Sequence, residues 1–253
     1  MRMFRAVFKA MRKQKRFFST LFFWKDYAML KKQKGDDKLF AWGRFYPVFD
    51  DRGDSAGVMS GHYFHQDLHV AKRIFENNPE KHLDIGSRID GFVAHVAAYR
   101  AIEIVDIRPI TCKVTNIAFK QLDLMKLSDE MENYSDSISS LHALEHFGLG
   151  RYNDPIDYFG YLKAIHNIHK ILQPKGTFYF SVPIGPQRIE FNAHRVFSVA
   201  YLMDILRPLF EIVHFSYVDD QGDFFEDVSI IDPALKENFG CYYGCGIFEL
   251  QKR

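Results

Sequence analysis

From Lys81 onward, short apolar runs alternate with stretches in which apolar residues recur at helical spacing. The runs His82–Gly86, Ala101–Asp106, Phe119–Leu124, Ser135–Leu141 and Thr177–Val182 predict strands. Between them, Gly91–Tyr99 and Tyr158–Leu172 predict helices, the second closed by Pro174 and Gly176. Such alternation implies a parallel sheet covered on both faces. The tail differs. Ser198–Leu206 predicts a helix, whereas Phe210–Val218 and Tyr243–Gln251 predict two strands with no helix between them long enough for a crossover, so an antiparallel pair at one sheet edge is expected. Upstream, His62–Asn77 carries Phe64, Leu68, Ala71 and Phe75 at helical spacing and stops before Pro79, and Gly35–Gly61 is turn-rich, with a loop through Asp50, Asp51, Arg52, Gly53 and Asp54.

Composition narrows the class. The 253 residues are 47% hydrophobic and 26% charged, with a net charge of +1, which excludes a disordered, collagen-like or disulfide-stapled chain and argues against a dedicated nucleic-acid binder. No repeat or low-complexity tract is visible. Cys112, Cys241 and Cys245 form no CxxC pair and fit a reducing compartment, so a cytoplasmic location is expected. Packing is the expected role of Cys241 and Cys245.

Charge is concentrated at the start. Between Arg2 and Lys34 eleven Lys or Arg residues stand against one acid, Asp26. The apolar run Phe17–Trp24 is far below the roughly 20 residues that span a bilayer. No small-residue cleavage site follows it, so a signal peptide is not expected. Phe4, Phe8 and Met11 share a helical face ringed by cations, which either packs on the larger domain or a partner subunit, or lies on an anionic membrane surface.

Three constellations carry chemistry. In the first, His82–Phe92 runs from a strand through a glycine-punctuated turn into a helix, the arrangement that brings backbone amides and a helix N-terminus up to a ligand. Asp106 follows Gly86 by twenty positions, the place for a carboxylate that accepts hydrogen bonds from ribose hydroxyls. Gly86 and Gly91 occupy the outer positions of a GxGxxG template, but Arg88 stands in the middle and disfavours a dinucleotide pyrophosphate. A tight turn that needs glycine only for its backbone remains the simpler alternative. The second constellation is His142-x-x-Glu145-His146, which matches an inverted zinc-protease pattern in letters, yet follows a strand rather than lying within a long helix, so zinc hydrolysis is not expected. The third is the loop Pro183–Arg195 after the fifth strand, with Arg188, Glu190, Asn192, His194 and Arg195, joined by Arg151, Tyr152, Asp154 and Asp157 in the loop after the fourth. Open α/β sheets bind substrates at such loops; a solvated surface with internal salt bridges is the alternative.

Together, Leu83–Phe92, Asp106, Asp123, Asp136–His146 and Ile171–Thr177 resemble the motifs of class I S-adenosylmethionine-dependent methyltransferases, over about Lys81 to Arg253. More narrowly, His146–Gly160, Val182–Phe197 and Tyr243–Gly246 resemble an uncharacterised bacterial methyltransferase-like family often associated with surface-glycan genes. The resemblance implies an α/β, Rossmann-like, seven-stranded methyltransferase fold with a mostly parallel sheet and an antiparallel edge strand, plus an N-terminal helical extension. The expected division is a basic extension at 1–34, a linker and packing helix at 35–80, and the methyltransferase-like domain at 81–253. By the same resemblance, S-adenosylmethionine is the cofactor, Asp84 and Gly86 line its methionine part, Ser87 sits in the turn, Asp106 binds the ribose, Asp123 meets the adenine or is a turn carboxylate, and His142 lies near the transferable methyl or caps a helix. Residues His62, Tyr63, His65, Gln66 and Asp67 either close over the cofactor or are structural.

Methyl transfer to a sugar hydroxyl needs a positioned base, for which His194 or His146 is expected, oriented by Glu145 or Glu190. Arg151, Tyr152, Asp154, Arg188, Asn192 and Arg195 are the expected substrate contacts. A divalent ion on Asp154, Asp157 or Glu190 is an alternative activator, although no spacing demands a metal. The fourth strand lacks the Asn/Asp-Pro-Pro-Tyr sequence of amino-methylating nucleic-acid enzymes. The expected activity is O-methylation of a sugar, nucleotide-sugar or surface-glycan precursor; a catalytically silent binding or assembly protein at the membrane is the competing class. Self-association is left open.

Overall fold

The computed structural model describes residues 20–49, 51–111, 113–126, 131–230 and 234–253. It falls into two compact units, Met1–Val58 and Met59–Arg253. The stretch 35–80, expected as one linker with its helix, is therefore divided. Its helix belongs to the larger unit.

In the smaller unit a helix, α1, covers 20–34. Its aromatic residues are met by the extended segment that follows: Tyr27 packs on Trp42 and Phe45 with centroids 5.1 and 5.0 Å away, and Phe23 on Phe49 at 5.7 Å. Asp26 pairs with Arg52 at 2.7 Å. The amphipathic face through Phe4, Phe8 and Met11 lies outside the described residues. No described helix is long and apolar enough to cross a membrane.

The larger unit begins with α2 (His62–Asn77), which ends where Asn78 turns left-handed at φ 41° just before Pro79. The helical spacing is as expected, but the buried face is not. Phe64, Leu68 and Phe75 are 39%, 53% and 64% exposed, whereas Gln66, Asp67, Val70, Ala71 and Ile74 face inward. A face carrying two polar residues reads poorly in a hydrophobic pattern, and it is buried because both find hydrogen-bond partners inside.

The strands are β1 (His82–Ile85), β2 (Ile102–Asp106), β3 (Ile117–Gln121), β4 (Ser135–Leu141), β5 (Leu172–Ile184), β6 (Arg188–Glu190), β7 (His194–Val196), β8 (Phe210–Val218), β9 (Phe224–Phe225) and β10 (Gly244–Lys252). The main sheet runs β3-β2-β1-β4-β5-β10-β8-β9, with β6 and β7 as a separate hairpin. Strands β1 to β5 are mutually parallel, and β10 is antiparallel to both neighbours, β5 and β8. The antiparallel pair thus lies at that end of the sheet, and the last strand is threaded between β5 and β8. Strand β3 starts two residues before the expected Phe119, because Asn116 at φ 65° starts it and its register runs from Ile102↔Ile117 to Asp106↔Gln121.

The helices are α3 (Ala94–Ala97), entered through a π-helical turn at Ile89–Val93, then α4 (Gly160–Ile171) and α5 (Val199–Leu206). Strand alternation divides the core into two layers. Leu83, Ile85, Val105 and Ile138 pack on α4 and α5. Ile102, Ile104, Leu141, Tyr179 and Ile247 pack on α2 and the π-turn helix. Each fully buried aliphatic side chain contributes about 1.5–3 kcal/mol.

Under α2 the second layer is partly polar. His82 Nδ1 and Nε2 meet Ser137 at 2.8 Å and Ser139 at 3.1 Å, and burial pushes this imidazole down to about 3. The Asp84 carboxylate accepts from Ser139 Oγ (2.6 Å), Ser87 Oγ (2.5 Å) and the Ser87 amide (3.1 Å), while burial raises it to about 6.

Candidate functional site

The parallel strands point their carboxyl ends into one cleft of about 820 Å³, as open α/β sheets do. Gly86, which ends β1, has φ +68°, and a Cβ there would stand 3.2 Å from that of Ala143. A side chain at Gly91 would meet Asp67 Oδ2 of α2 at 2.2 Å, so this glycine is a packing requirement. Arg88, in the middle of the turn, borders the cleft, where it lies over the Tyr63 ring at 5.3 Å and pairs with Asp90 at 2.6 Å. Asp84 does not line the cleft as expected. It is fully buried beneath the turn, because its two oxygens are taken by Ser87 and Ser139.

At the end of β2, Asp106 borders the cleft and is held by Arg108, whose guanidinium reaches both carboxylate oxygens at 3.0 and 2.6 Å. Arg108 also lies over the Tyr152 ring, 4.3 Å from its centroid. Beside Asp106 an apolar slot of about 70 Å³ is walled by Ile107, Leu122, Leu124, Met125 and Phe147, with Asp123 at its rim. Gly86, Asp106, Arg108, His142, His146 and Tyr152 border both slot and cleft, so the two are continuous.

The other wall is built on the end of β4. His142 leaves the strand at φ 49° and is followed by a single 3-10 turn, Leu144–His146. The His-x-x-Glu-His run is therefore a strand-end junction, as its position after Leu141 predicts. Glu145 lies between the two imidazoles, 2.8 Å from His142 Nδ1 and 3.8 Å from His146 Nε2. Burial pushes the Glu145 carboxyl up, but the His142 charge and hydrogen bond outweigh it and hold it below the usual range. Burial also disfavours the His142 imidazolium, yet Cys245 and Glu145 beside it raise it well above its ordinary value. For His146, burial wins over the attraction of Glu145 and the pKa falls. Its Nδ1 faces an acceptor, the Ala193 carbonyl, at 2.7 Å and a donor, Arg151 Nη1, at 3.3 Å; the shorter contact assigns the proton to Nδ1 and leaves Nε2 as the lone pair.

The β6–β7 hairpin completes this wall. His194 Nε2 lies 3.2 Å from Glu190, and its ring packs on Tyr243 at 5.2 Å. His62 and Tyr63 from the first turn of α2 close the cleft, and burial pushes His62 down to about 4.

Of the expected site residues, Gly86, Ser87, Asp106, His142, Glu145, His146, Arg151, Tyr152 and His194 come together on the cleft, and Asp123 on the slot. Others do not reach the cleft. Arg195, expected to contact substrate, is 4% exposed and donates to the carbonyls of Glu145, Phe147 and Tyr158. Those carbonyls sit at loop ends with no ladder partner, which is why a buried guanidinium is retained there. Arg188 is turned to Glu190 and the Tyr242 carbonyl, and Asn192 is at the exposed hairpin tip. Asp154 rims the slot, but its oxygens accept from the amides of Gly148, Gly150 and Tyr152. Asp157 pairs with Lys163 at 2.5 Å, so the expected cation ligands Asp154, Asp157 and Glu190 are all engaged elsewhere. The sequence reading missed Arg108, for which an arginine two residues after Asp106 was the available signal.

Residues 99–229, more than half of the chain, match the family model described as "Caenorhabditis protein of unknown function, DUF268". The chain belongs to this family. A search of curated proteins finds no match. Among solved structures, this DUF268 chain resembles 1,6-didemethyltoxoflavin-N1-methyltransferase from Burkholderia thailandensis, with bound 1,6-didemethyltoxoflavin and S-adenosylhomocysteine, at a TM-score of 0.52 and 18% identity over 74% of this chain and 78% of that one. It resembles N-methyltransferase NodS from Bradyrhizobium japonicum WM9, in complex with S-adenosylhomocysteine, at 0.51 and 16% identity over 89% and 97%. It also resembles the [4+2]-cyclase SpnF at 0.52 and 15% identity over 74% and 80%. The DUF268 chain thus has the class I methyltransferase fold. A cyclase among its neighbours shows that this fold alone does not specify a reaction.

Proposed function

We propose that the protein is an S-adenosylmethionine-dependent methyltransferase acting on a hydroxyl of a small, anionic acceptor, a sugar or nucleotide-sugar of the kind used for surface glycans, in the cytoplasm. What carries the reading is the continuity of the Asp106 slot with the histidine-lined cleft, which puts a nucleoside-type pocket and a free imidazole nitrogen in one space. The residues present fit the cofactor. Gly86 leaves the strand end open, Asp106 offers a carboxylate to a diol, and Leu122, Leu124 and Met125 give an apolar berth for a base with Asp123 at the rim. Arg108 must release Asp106 for that diol to bind. When bound, S-adenosylmethionine supplies an electrophilic methyl carbon.

The chain's own part is the proton. A His146 imidazole kept neutral by burial accepts the acceptor's hydroxyl proton at Nε2, and the imidazolium so formed is stabilised by Glu145. Alignment of the acceptor against the methyl carbon supplies much of the remaining acceleration. Arg151 and Arg88 border the same cleft and suit a phosphate or carboxylate on the acceptor. The Arg108–Asp106 pair favours one second reading, a methyltransferase-fold binding or assembly protein whose nucleoside site is closed by its own arginine.

Calorimetry with S-adenosylhomocysteine separates the two. The enzyme reading expects saturable binding that Asp106→Ala weakens by at least about tenfold. Absence of binding at millimolar ligand overturns it. Mass spectrometry of nucleotide-sugars incubated with the protein and cofactor then reads the gain of one methyl group.

A further inference from the structure

The side chains of His62, His142 and Cys245 converge on one point, although 80 and 103 positions separate the second and third from the first and second, respectively. Their ligand atoms all lie within 4.8 Å of one another. His142 Nδ1 is held by Glu145 at 2.8 Å, while its Nε2 is buried without a hydrogen-bond partner in a side chain only 5% exposed. A buried imidazole nitrogen left bare is costly. A carboxylate holding one ring nitrogen so that the other faces a cation is the usual support of a histidine ligand. Two imidazoles joined to one ion by bonds of about 2.0–2.1 Å at the tetrahedral angle have centroids about 5 Å apart. Those of His62 and His142 are 5.2 Å apart in rings that are nearly parallel, at 5°, so turning the His62 ring is what brings both nitrogens onto one ion.

We propose that His62, His142 and Cys245 form a three-ligand Zn²⁺ site whose fourth position opens to the cleft. Two imidazoles and a thiolate suit Zn²⁺ better than a hard, oxygen-seeking cation, and three protein ligands are the set found where zinc keeps a position for water or substrate. His62 and His142 border the cleft, and Cys245 lies behind them, fully buried in β10. Tetrahedral bonds of about 2.0–2.3 Å bring ligand atoms to roughly 3.5 Å from one another, and His62, the most exposed of the three, closes the distance by side-chain rotation. The ion ties the first turn of α2 to the ends of β4 and β10. It also presents a Lewis acid to an oxygen or sulfur atom entering the cleft.

The test uses the full chain, stripped with a chelator and titrated with Co²⁺ followed by absorption, then with Zn²⁺ against a chromophoric chelator. The expected result is one Co²⁺ per chain, with tetrahedral d–d bands and a thiolate-to-cobalt charge-transfer band. Cys245→Ser abolishes that band and Cys241→Ser leaves it. His62→Ala weakens Zn²⁺ binding by at least about 100-fold, the upper end of what loss of an outer-shell partner costs. Because His62 is only partly buried at the start of α2, this variant carries the test if Cys245→Ser does not fold. No stoichiometric uptake by the wild-type chain, a charge-transfer band that survives Cys245→Ser, or unchanged affinity in His62→Ala each overturns the proposal. The titration needs neither cofactor nor acceptor, so its outcome is separate from that of the methyl-transfer reading.

Discussion

The two walls of the cleft are built on different length scales. Along the β1–β2 wall the decisive hydrogen bonds are local: Asp84 holds Ser87 three residues on, and Arg108 holds Asp106 two residues back. Along the β4–β5–β10 wall they are distant: His146 meets Ala193 across 47 positions and Ser181 meets Gln66 across 115. A wall held by local contacts can be written into a short motif, because strand, turn and helix geometry bring its parts together. A wall held by distant contacts has to be assembled from elements that meet only after the sheet is complete.

The sharpest way to separate the walls is to remove the proposed base. His146→Gln is expected to lower kcat by about 10²–10⁴ and to leave S-adenosylhomocysteine affinity within about threefold, since its nitrogen serves the acceptor. Single-turnover kinetics beside calorimetry read the two effects; equal losses in both would merge the walls into one site.

Next in size is the arginine that changed role. Arg195→Ala strips donors from three carbonyls and should cost about 2–4 kcal/mol in denaturant unfolding, whereas Arg188→Ala, at the outer hairpin, should stay within about 0.5 kcal/mol. Comparable small losses in both would return Arg195 to the substrate-binding loop.

The polar layer under α2 gives a pH-dependent effect. His82 is held near 3 in the folded chain, against an ordinary value of 6.5, so its contribution is complete above that value and is lost as pH falls below it. The slope is about 1.4 kcal/mol per pH unit, or about 2 kcal/mol by about pH 5. Unfolding curves at neutral and mildly acidic pH should show this loss, and His82→Gln should flatten it. A slope unchanged in the variant would assign the acid sensitivity to other groups.

The smallest effect concerns α2. Leu68→Glu places a charge on a residue 53% exposed and should change stability by less than about 0.5 kcal/mol. A loss several times larger would mean that the hydrophobic stripe through Phe64, Leu68 and Phe75 is covered in solution.

How legible the protein was follows the same division. The strands β1, β2, β4 and β8 were readable almost to the residue, since an apolar run between turn residues has few other ways to bury itself. The positions of Gly86 after β1, Asp106 at the end of β2 and the junction at His142 were readable because each is set by its immediate neighbours. The buried face of α2 was not, since Gln66 and Asp67 look solvent-seeking until Ser181 and Gly91 are placed against them. Local order dictated the element types, the parallel half of the sheet and the turn and strand ends along the β1–β2 wall, all governed by interactions a few residues long. Packing alone turned Arg195 inward, threaded β10 between β5 and β8, and set His62, His142 and Cys245 side by side. Those outcomes depend on which distant surfaces share the same buried volume, a quantity that no short stretch of chain encodes.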